Sequence, residues 1–418
     1  MCIRDSTNTY HTIVIGGGFG GVLSGARLRE QGINDFKIIE KGGDFGGTWY
    51  WNRYPGASCD IESYIYFPLL EETNFIPKRK YTNAPETLDY FNVISEKFSL
   101  KENALFQTEV NEVKWLSDEK LWCIKTNRQD SIKAKFVIHA NGFLNRPKLP
   151  AMNGINDYQG HTFHTSRWDY EYTGGSHSGD LSNLKDKRVA VIGTGATAIQ
   201  CIPHIGSSAK ELYVFQRTPS AVDIRNNSLT DVNWLQNQEP GWQAKRRRNY
   251  ESIISGKPVE EDLVDDGWTE AFKDLFAFMQ DHDLLKSGAE GIAKAMEIAD
   301  LKKMEKIRNL ASDILNDQET AENLKPYYRW LCKRPCFNDD YLKTYNLPNA
   351  HLIDTNGKGV TRITPKGVVA NDVEFKVDCI IFATGFEVGT DYSRRAGYGI
   401  YGRGGINIEE KFSMTKGY

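Results

Sequence analysis

The chain has 418 residues, enough for two or three domains with a sizeable core. Its 40% apolar and 26% charged content is ordinary for a globular protein, and a net charge of −3 excludes the positive field of a polyanion binder. No apolar run approaches the length needed to cross a bilayer, and no charged-then-apolar leader is read at the start. The seven cysteines are scattered and contain no C-x-x-C, so no metal site or redox dithiol is expected and a reducing, cytoplasmic setting fits best.

Met1 to Ser6 has no pattern leading into the fold and is read as a remnant. His11 to Ile15 is a short apolar strand. Gly16-Gly17-Gly18-Phe19-Gly20-Gly21 follows and matches G-x-G-x-x-G at Gly16, Gly18 and Gly21. Val22 to Gln31 reads as a helix, and Phe36 to Ile39 as a second strand ending in Glu40. Glycines at such a turn let the backbone approach a pyrophosphate, whose charge sits on the helix N-terminus. The acid at the end of the second strand accepts hydrogen bonds from a ribose diol. The glycine motif alone is weak evidence; the strand, turn, helix, strand and acid together predict a dinucleotide site.

Gly43 to Tyr66 reads GDFGGTWYWNRYPGASCDIESYIY. It is too rich in glycine and proline for a helix and too irregular in polarity for a strand. Long ordered loops of this kind usually carry function. Following directly on the first unit, it is read as the cover of a flavin, with Gly47, Thr48, Trp49, Asp60 and Tyr66 among the cofactor-binding residues. Pro68 to Glu109 reads as mainly helical, Glu109 to Trp115 and Lys120 to Lys125 as paired strands, and Lys133 to Ala140 as another strand. HANGFLNRPKLP then marks a linker.

The first unit repeats. Arg188 to Ile192 is a strand, and Gly193-Thr194-Gly195-Ala196-Thr197-Ala198 matches G-x-G-x-x-A. A helix continues from Ala198 to Ile205, and Leu212 to Gln216 is the second strand, ending in Arg217-Thr218. The spacing from first glycine to strand-end residue is the same in both units. A carboxylate repels a ribose 2′-phosphate and a guanidinium binds one. The first site is therefore expected to take FAD and the second NADPH. Ala221 to Asp313 reads as a charged, mostly helical insertion capping the substrate cleft, and its basic run, Lys245 to Arg248, as a solvated helix face rather than a nucleic-acid site. Asn346 to Asp354 and Gly367 to Val373 are strand-like, and Val377 to Gly385 (VDCIIFATG) is a buried strand ending in a turn. The last residues, EKFSMTKGY, stop without a terminating element, so the natural chain is expected to continue.

The segment GGTWYWNRYPGASCDIESYIY strongly resembles the corresponding loop of Baeyer–Villiger monooxygenases, the ketone-oxidising branch of the flavin-containing monooxygenases. Tyr158 to Asp169, YQGHTFHTSRWD, resembles the fingerprint of that family at Gly160, His164, Trp168 and Asp169, with Tyr158 in place of the usual phenylalanine. In the family this segment joins the two nucleotide domains, so His164 is not read as a catalytic base. YYRWLCKRPCFNDDY resembles the segment that carries the family's active-site arginine. The resemblance covers nearly the whole chain. It implies Arg334 as the catalytic arginine, Asp60 as the carboxylate that orients it, and Lys333 as a helper of Arg217 at NADP. It also implies a reaction in which NADPH, FAD and dioxygen convert a small-molecule ketone to an ester or lactone through a C4a-peroxyflavin.

The expected architecture is α/β, with two Rossmann-like dinucleotide-binding domains and a mainly helical insertion. Residues 8–145 form the first part of the FAD-binding domain and 146–220 the first part of the NADP-binding domain. Residues 221–325 form the insertion, 326–376 the second part of the NADP-binding domain, and 377–418 an incomplete return to the FAD-binding domain. Two other readings stand beside the ketone oxygenase. A nitrogen- or sulfur-oxidising flavin monooxygenase needs the same cofactor sites without the Arg334–Asp60 pair. A truncated flavoprotein would bind FAD without catalysis. Neither the substrate nor the oligomeric state is legible.

Overall fold

The computed structural model describes residues 9–281 and 288–415; Met1 to Ser6, Cys2 included, lies outside them. The first sheet has seven strands. These are β1 (Thr9–Ile15), β2 (Phe36–Ile39), β3 (Ala104–Leu105), β4 (Val110–Leu116), β5 (Leu121–Thr126), β6 (Ser131–His139) and, from the far end of the chain, Gly399–Tyr401. β1, β2, β3 and β6 pair in parallel, while β4, β5 and β6 form an antiparallel meander. The helix Phe19–Glu30 connects β1 to β2.

The second sheet is wholly parallel. It contains β7 (His161–His164), β8 (Arg188–Ile192), β9 (Glu211–Gln216), Ala350–Asp354 and Cys379–Phe382. Between β9 and Ala350 the chain forms β10 (Val222–Asp223), the helices Trp242–Ile254, Glu270–Asp281 and Gly288–Ile314, and β11 (Cys336–Phe337). The remaining strands follow as β12 (Ala350–Asp354), β13 (Arg362–Thr364), β14 (Gly367–Ala370), β15 (Val373–Lys376), β16 (Cys379–Phe382) and β17 (Gly399–Tyr401). The order in the second sheet is β12-β9-β8-β16-β7, and β13, β14 and β15 form a small antiparallel sheet of their own. Both large sheets carry the expected Rossmann-like core.

The strands at the sheet centres read as continuous apolar runs because both of their faces are covered. In β8, Val189 and Val191 face a large core that runs under both sheets, whereas Ala190 and Ile192 face the core shared with β13–β15. In β1, Val14 joins the first core, while Ile13 and Ile15 join a separate one beneath the meander.

Three sequence expectations change. The return to the first domain comes after β16, not at residue 377, because Cys379–Phe382 sits between β8 and β7 with all four residues buried. Within Gly43 to Tyr66, Thr48–Trp51 and Ser63–Tyr66 each form one helical turn, so the loop is not free of helix. The basic run is not simply a solvated face. Arg246 pairs with the fully buried Glu62 through two hydrogen bonds, Nε to Oε1 at 2.5 Å and Nη2 to Oε2 at 2.9 Å, and Arg247 donates to the Ile65 carbonyl. The final stretch holds the helix Ile408–Met414, capped by the Asn407 side chain accepting from the Glu409 amide.

Candidate active site

The two glycine turns are built alike. Gly16 has φ +111° and Gly193 φ +112°, a region that L side chains rarely adopt. A Cβ at Gly16 would lie 2.4 Å from the Ala140 carbonyl oxygen, and one at Gly193 would lie 2.6 Å from that of Ala383. Ala140 follows β6 and Ala383 follows β16, so β16 is the counterpart of β6 in the second unit. Each helix then begins beside its turn: Gly18 precedes Phe19–Glu30, and Gly195 precedes Ala196–Gly206. Gly21 does not line the cavity described below. Its Cβ would lie 1.9 Å from the Gly16 carbonyl oxygen, so its glycine serves the packing of turn on helix.

Glu40 is 5% exposed and stands at the end of β2. Its Oε2 accepts from the Gly17 amide and its Oε1 from the Gly42 amide, both at 2.6 Å. A carboxylate has about four lone-pair sites, so each oxygen keeps one for another donor. The Gly43–Tyr66 segment lies over this turn. The Gly46 amide donates to the Gly17 carbonyl at 2.9 Å, and Trp49 Nε1 donates to the Tyr66 hydroxyl at 2.9 Å.

In the second unit the Thr194 hydroxyl donates to the Thr218 carbonyl at 3.1 Å, and that of Ser220 to the Thr194 carbonyl at 2.5 Å. Arg217 and Lys333 stand near one another. Burial lowers the Lys333 pKa, and the Arg217 charge lowers it further. Among the described residues neither forms an ion pair with an acid. Together they present positive charge that no described acid offsets.

A cavity of about 1330 Å³ runs between the two turns. Single-ligand pockets span roughly 300–1,000 Å³, so this one has room for more than one molecule. It lies at the carboxyl ends of β1 and β8, where the strand order reverses, the usual ligand position in such sheets. Glu40, Gly47, Thr48, Trp49, Asp60 and Tyr66 line it from the first unit. From the second come Gly193, Thr194, Gly195, Ala196, Thr197, Arg217 and Thr218, with Lys333 and Arg334 at the join. His164 is buried but does not line it.

Asp60 and Arg334, far apart in sequence, meet there. One nitrogen, Nη2 of Arg334, lies 2.6 Å from both Asp60 carboxylate oxygens. The Arg334 side chain is 56% exposed and that of Asp60 12%, so the cation opens to the cavity while its partner anchors it. Burial alone would lower the Arg334 pKa, but the charge and hydrogen bond of Asp60 outweigh it and the net shift is upward. Arg334 therefore stays charged and cannot give up a proton at neutral pH. The thiols of Cys59 and Cys336, on either side of the pair, are pushed up to about 12 chiefly by burial and add no charge.

The first half of the chain, residues 13–239, matches the pyridine nucleotide-disulphide oxidoreductase family model. A Baeyer–Villiger monooxygenase of Stachybotrys chlorohalonatus is 50% identical over 406 residues, 97% of this chain and 65% of that protein. A polycyclic ketone monooxygenase from Thermothelomyces thermophila superposes with a TM-score of 0.90 at 39% identity, covering 100% of this chain and 70% of that one. The chain belongs to the Baeyer–Villiger monooxygenase family. A further solved structure, OTEMO in complex with FAD and NADP, covers 97% of this chain and 76% of that one, at 27% identity and a TM-score of 0.78.

Three neighbours of the candidate site in this Baeyer–Villiger family member escape a reading of the sequence. Trp268, from the insertion, donates from Nε1 to the Asp60 carbonyl at 2.8 Å, and its ring centroid lies 5.6 Å from the Arg334 guanidinium carbon. Arg225 donates to the Cys59 carbonyl. Lys358 lines the cavity beside Gly359, where a Cβ would lie 3.8 Å from Arg217 Cδ. All three come from charged or turn-like stretches in which no periodicity marks an inward residue.

Proposed function

We propose that the chain forms the nucleotide-binding and catalytic part of an NADPH-dependent ketone monooxygenase, with FAD held by the first unit and NADPH by the second. The products would be esters or lactones. The observation that carries this is the Arg334–Asp60 pair, open to the cavity that joins the two glycine turns. The first turn fits FAD because its helix N-terminus and Glu40 present donors and a free acceptor to the same space. The second fits NADPH because Arg217 and Lys333 offer unpaired positive charge where a 2′-phosphate would sit. When bound, the flavin and nicotinamide supply the hydride transfer and oxygen chemistry that no side chain can perform.

The protein's part is orientation and charge. Asp60 engages only Nη2, so Nε and Nη1 of Arg334 are left to hold the carbonyl oxygen of a ketone and the negative charge that grows on it. Asp60 fixes the plane of that guanidinium. The neutral cysteines add no competing charge, and the ring of Trp268 lies 5.6 Å from the Arg334 guanidinium carbon. The six cysteines among the described residues are all free, which supports a reducing, cytoplasmic setting. No described helix is long and apolar enough to cross a membrane.

The test is a panel of linear, cyclic and aromatic ketones with NADPH under air, scored by product identity and product formed per NADPH oxidised. Ester or lactone from at least one ketone is expected. In Arg334→Ala that yield should fall on the order of a hundred- to a thousandfold while flavin content holds. Product at the unaltered rate in Arg334→Ala, or oxidation of thioethers and amines alone, overturns the reading.

A further inference from the structure

We infer that Arg225 is a positioning residue that holds Asp60 and Arg334 in register, by tying together the backbones of the two segments that carry them. The inference rests on the ketone-oxygenating reading of that pair. Arg225 follows β10 by two residues. Its Nη1 donates to the Cys59 carbonyl at 2.6 Å, while Nε and Nη2 donate to the Phe337 carbonyl at 3.3 and 2.9 Å. Cys59 precedes Asp60, and Phe337 lies three residues beyond Arg334. The guanidinium also lies near two rings, its carbon 4.9 Å from the Tyr81 ring centroid and 6.0 Å from that of Phe337. The Arg225 amide donates to Asp339 Oδ1 at 2.8 Å, but among the described residues its guanidinium forms no ion pair.

A guanidinium spent on two neutral carbonyls is an expensive way to add stability and a direct way to set a distance. The planar fork offers donors in fixed directions, so the two carbonyls cannot drift independently. No local backbone does this job, because the chain between residues 60 and 334 runs through most of the second sheet and the whole insertion. The two ends of the clamp also differ. Phe337 is already paired to Asp223 across β10 and β11, so its place survives without Arg225. The Cys59 carbonyl has no such strand partner. Losing Arg225 should therefore free the Asp60 side first, leaving the Trp268 bond to the Asp60 carbonyl as its remaining tie from the insertion.

The test compares the holoenzyme with Arg225→Met, which keeps the apolar stem and loses every side-chain donor, and with Arg225→Lys. Flavin content and the KM for NADPH should hold in both. Ester or lactone per NADPH should fall roughly ten- to a hundredfold in Arg225→Met, the scale of a misplacement of about 1 Å, and less in Arg225→Lys. Hydrogen exchange of the Cys59 amide, bonded to the Thr82 carbonyl at 2.9 Å, should quicken, while that of Cys336, bonded to the Ala221 carbonyl at 3.0 Å, should not. Unchanged yield with unchanged Cys59 exchange overturns the inference. So does uniform loss of flavin, NADPH oxidation and protection in both sheets, which would make Arg225 a fold residue. If the unaltered enzyme oxygenates no ketone, the functional reading fails, and Cys59 exchange alone still decides whether the clamp exists.

Discussion

Arg217 and Lys333 stand near one another, and among the described residues neither is paired with an acid. Burial lowers the Lys333 pKa first, and the nearby Arg217 charge lowers it further. A 2′-phosphate would offset both charges through charge-assisted hydrogen bonds. Losing one such contact costs about 1.5–3 kcal/mol, so Arg217→Ala should raise the KM for NADPH roughly ten- to a hundredfold. Steady-state kinetics with NADH should change little; equal loss with both nucleotides would assign Arg217 to the fold. Arg217 was legible because its place is defined by a repeat, whereas Lys333 was reached only through likeness to a known segment. Each unit has one strand-end position, filled by Glu40 in the first and Arg217 in the second. Arg334 and Asp60 were not legible in that way. Nothing in the spacing of residues 60 and 334 relates them, and only likeness to known segments pointed to either. Arg225 and Trp268 carried no signal at all, because a carbonyl-directed guanidinium and an indole N–H look the same in sequence whether they face solvent or a site.

At the scale of elements, periodicity served well where burial is simple. The central strands β2, β8 and β16 are short, largely apolar runs, and the helices after the glycine turns follow directly on β1 and β8. It failed where a segment is specified by distant partners. The basic run of the helix Trp242–Ile254 reads as solvated, yet Arg246 reaches the buried Glu62 and lies 5.1 Å from the Trp234 ring centroid. Removing one member of a buried pair strands the other, at a cost of about 3–5 kcal/mol. Arg246→Ala should therefore lower the thermal midpoint clearly, whereas Arg248→Ala, at an exposed position of the same run, should leave it nearly unchanged. Calorimetry of the two variants checks this, and similar effects from both would return the run to a solvated face. The β16 boundary misled for a related reason. VDCIIF followed by a turn fits the last strand of one domain as well as the first of the next, and only pairing decides.

Across the molecule, the two units meet through histidines as well as through the cavity. The His204 ring is wedged between the flavin-side loop and the turn at Gly179. A Cβ at Gly56 would lie 2.7 Å from its Nε2, and one at Gly179 would lie 2.7 Å from its Nδ1. Burial depresses the pKa of His204, of His177 and of His164 below the ordinary 6.5, and the His204 charge lowers that of His177 further. A group whose folded pKa is depressed takes up its proton first in the unfolded chain, so stability should be full above about pH 6.5 and fall as pH drops below it. The thermal midpoint should be lower at pH 5.5 than at pH 7.5, and His204→Gln should flatten part of that slope. A midpoint independent of pH over this range would show that these rings accept protons without strain.

The chain also crosses between the sheets twice, and the crossings lie together. Residues 146–148 run beside 385–387, with the Lys148 amide donating to the Gly385 carbonyl and the Glu387 amide to that of Arg146. Beyond the second crossing, β17 pairs with β4 at the edge of the first sheet. A ribosome adds about 5–20 residues per second, so β4 waits on the order of tens of seconds for its neighbour. During synthesis the first sheet leaves the tunnel with β4 as an open edge, and every strand of the second sheet is made before the strand that covers that edge. An unpaired edge is a template for other chains. Such a nascent chain is most exposed to misassembly in its middle period, when β1 to β6 have been made and β17 has not.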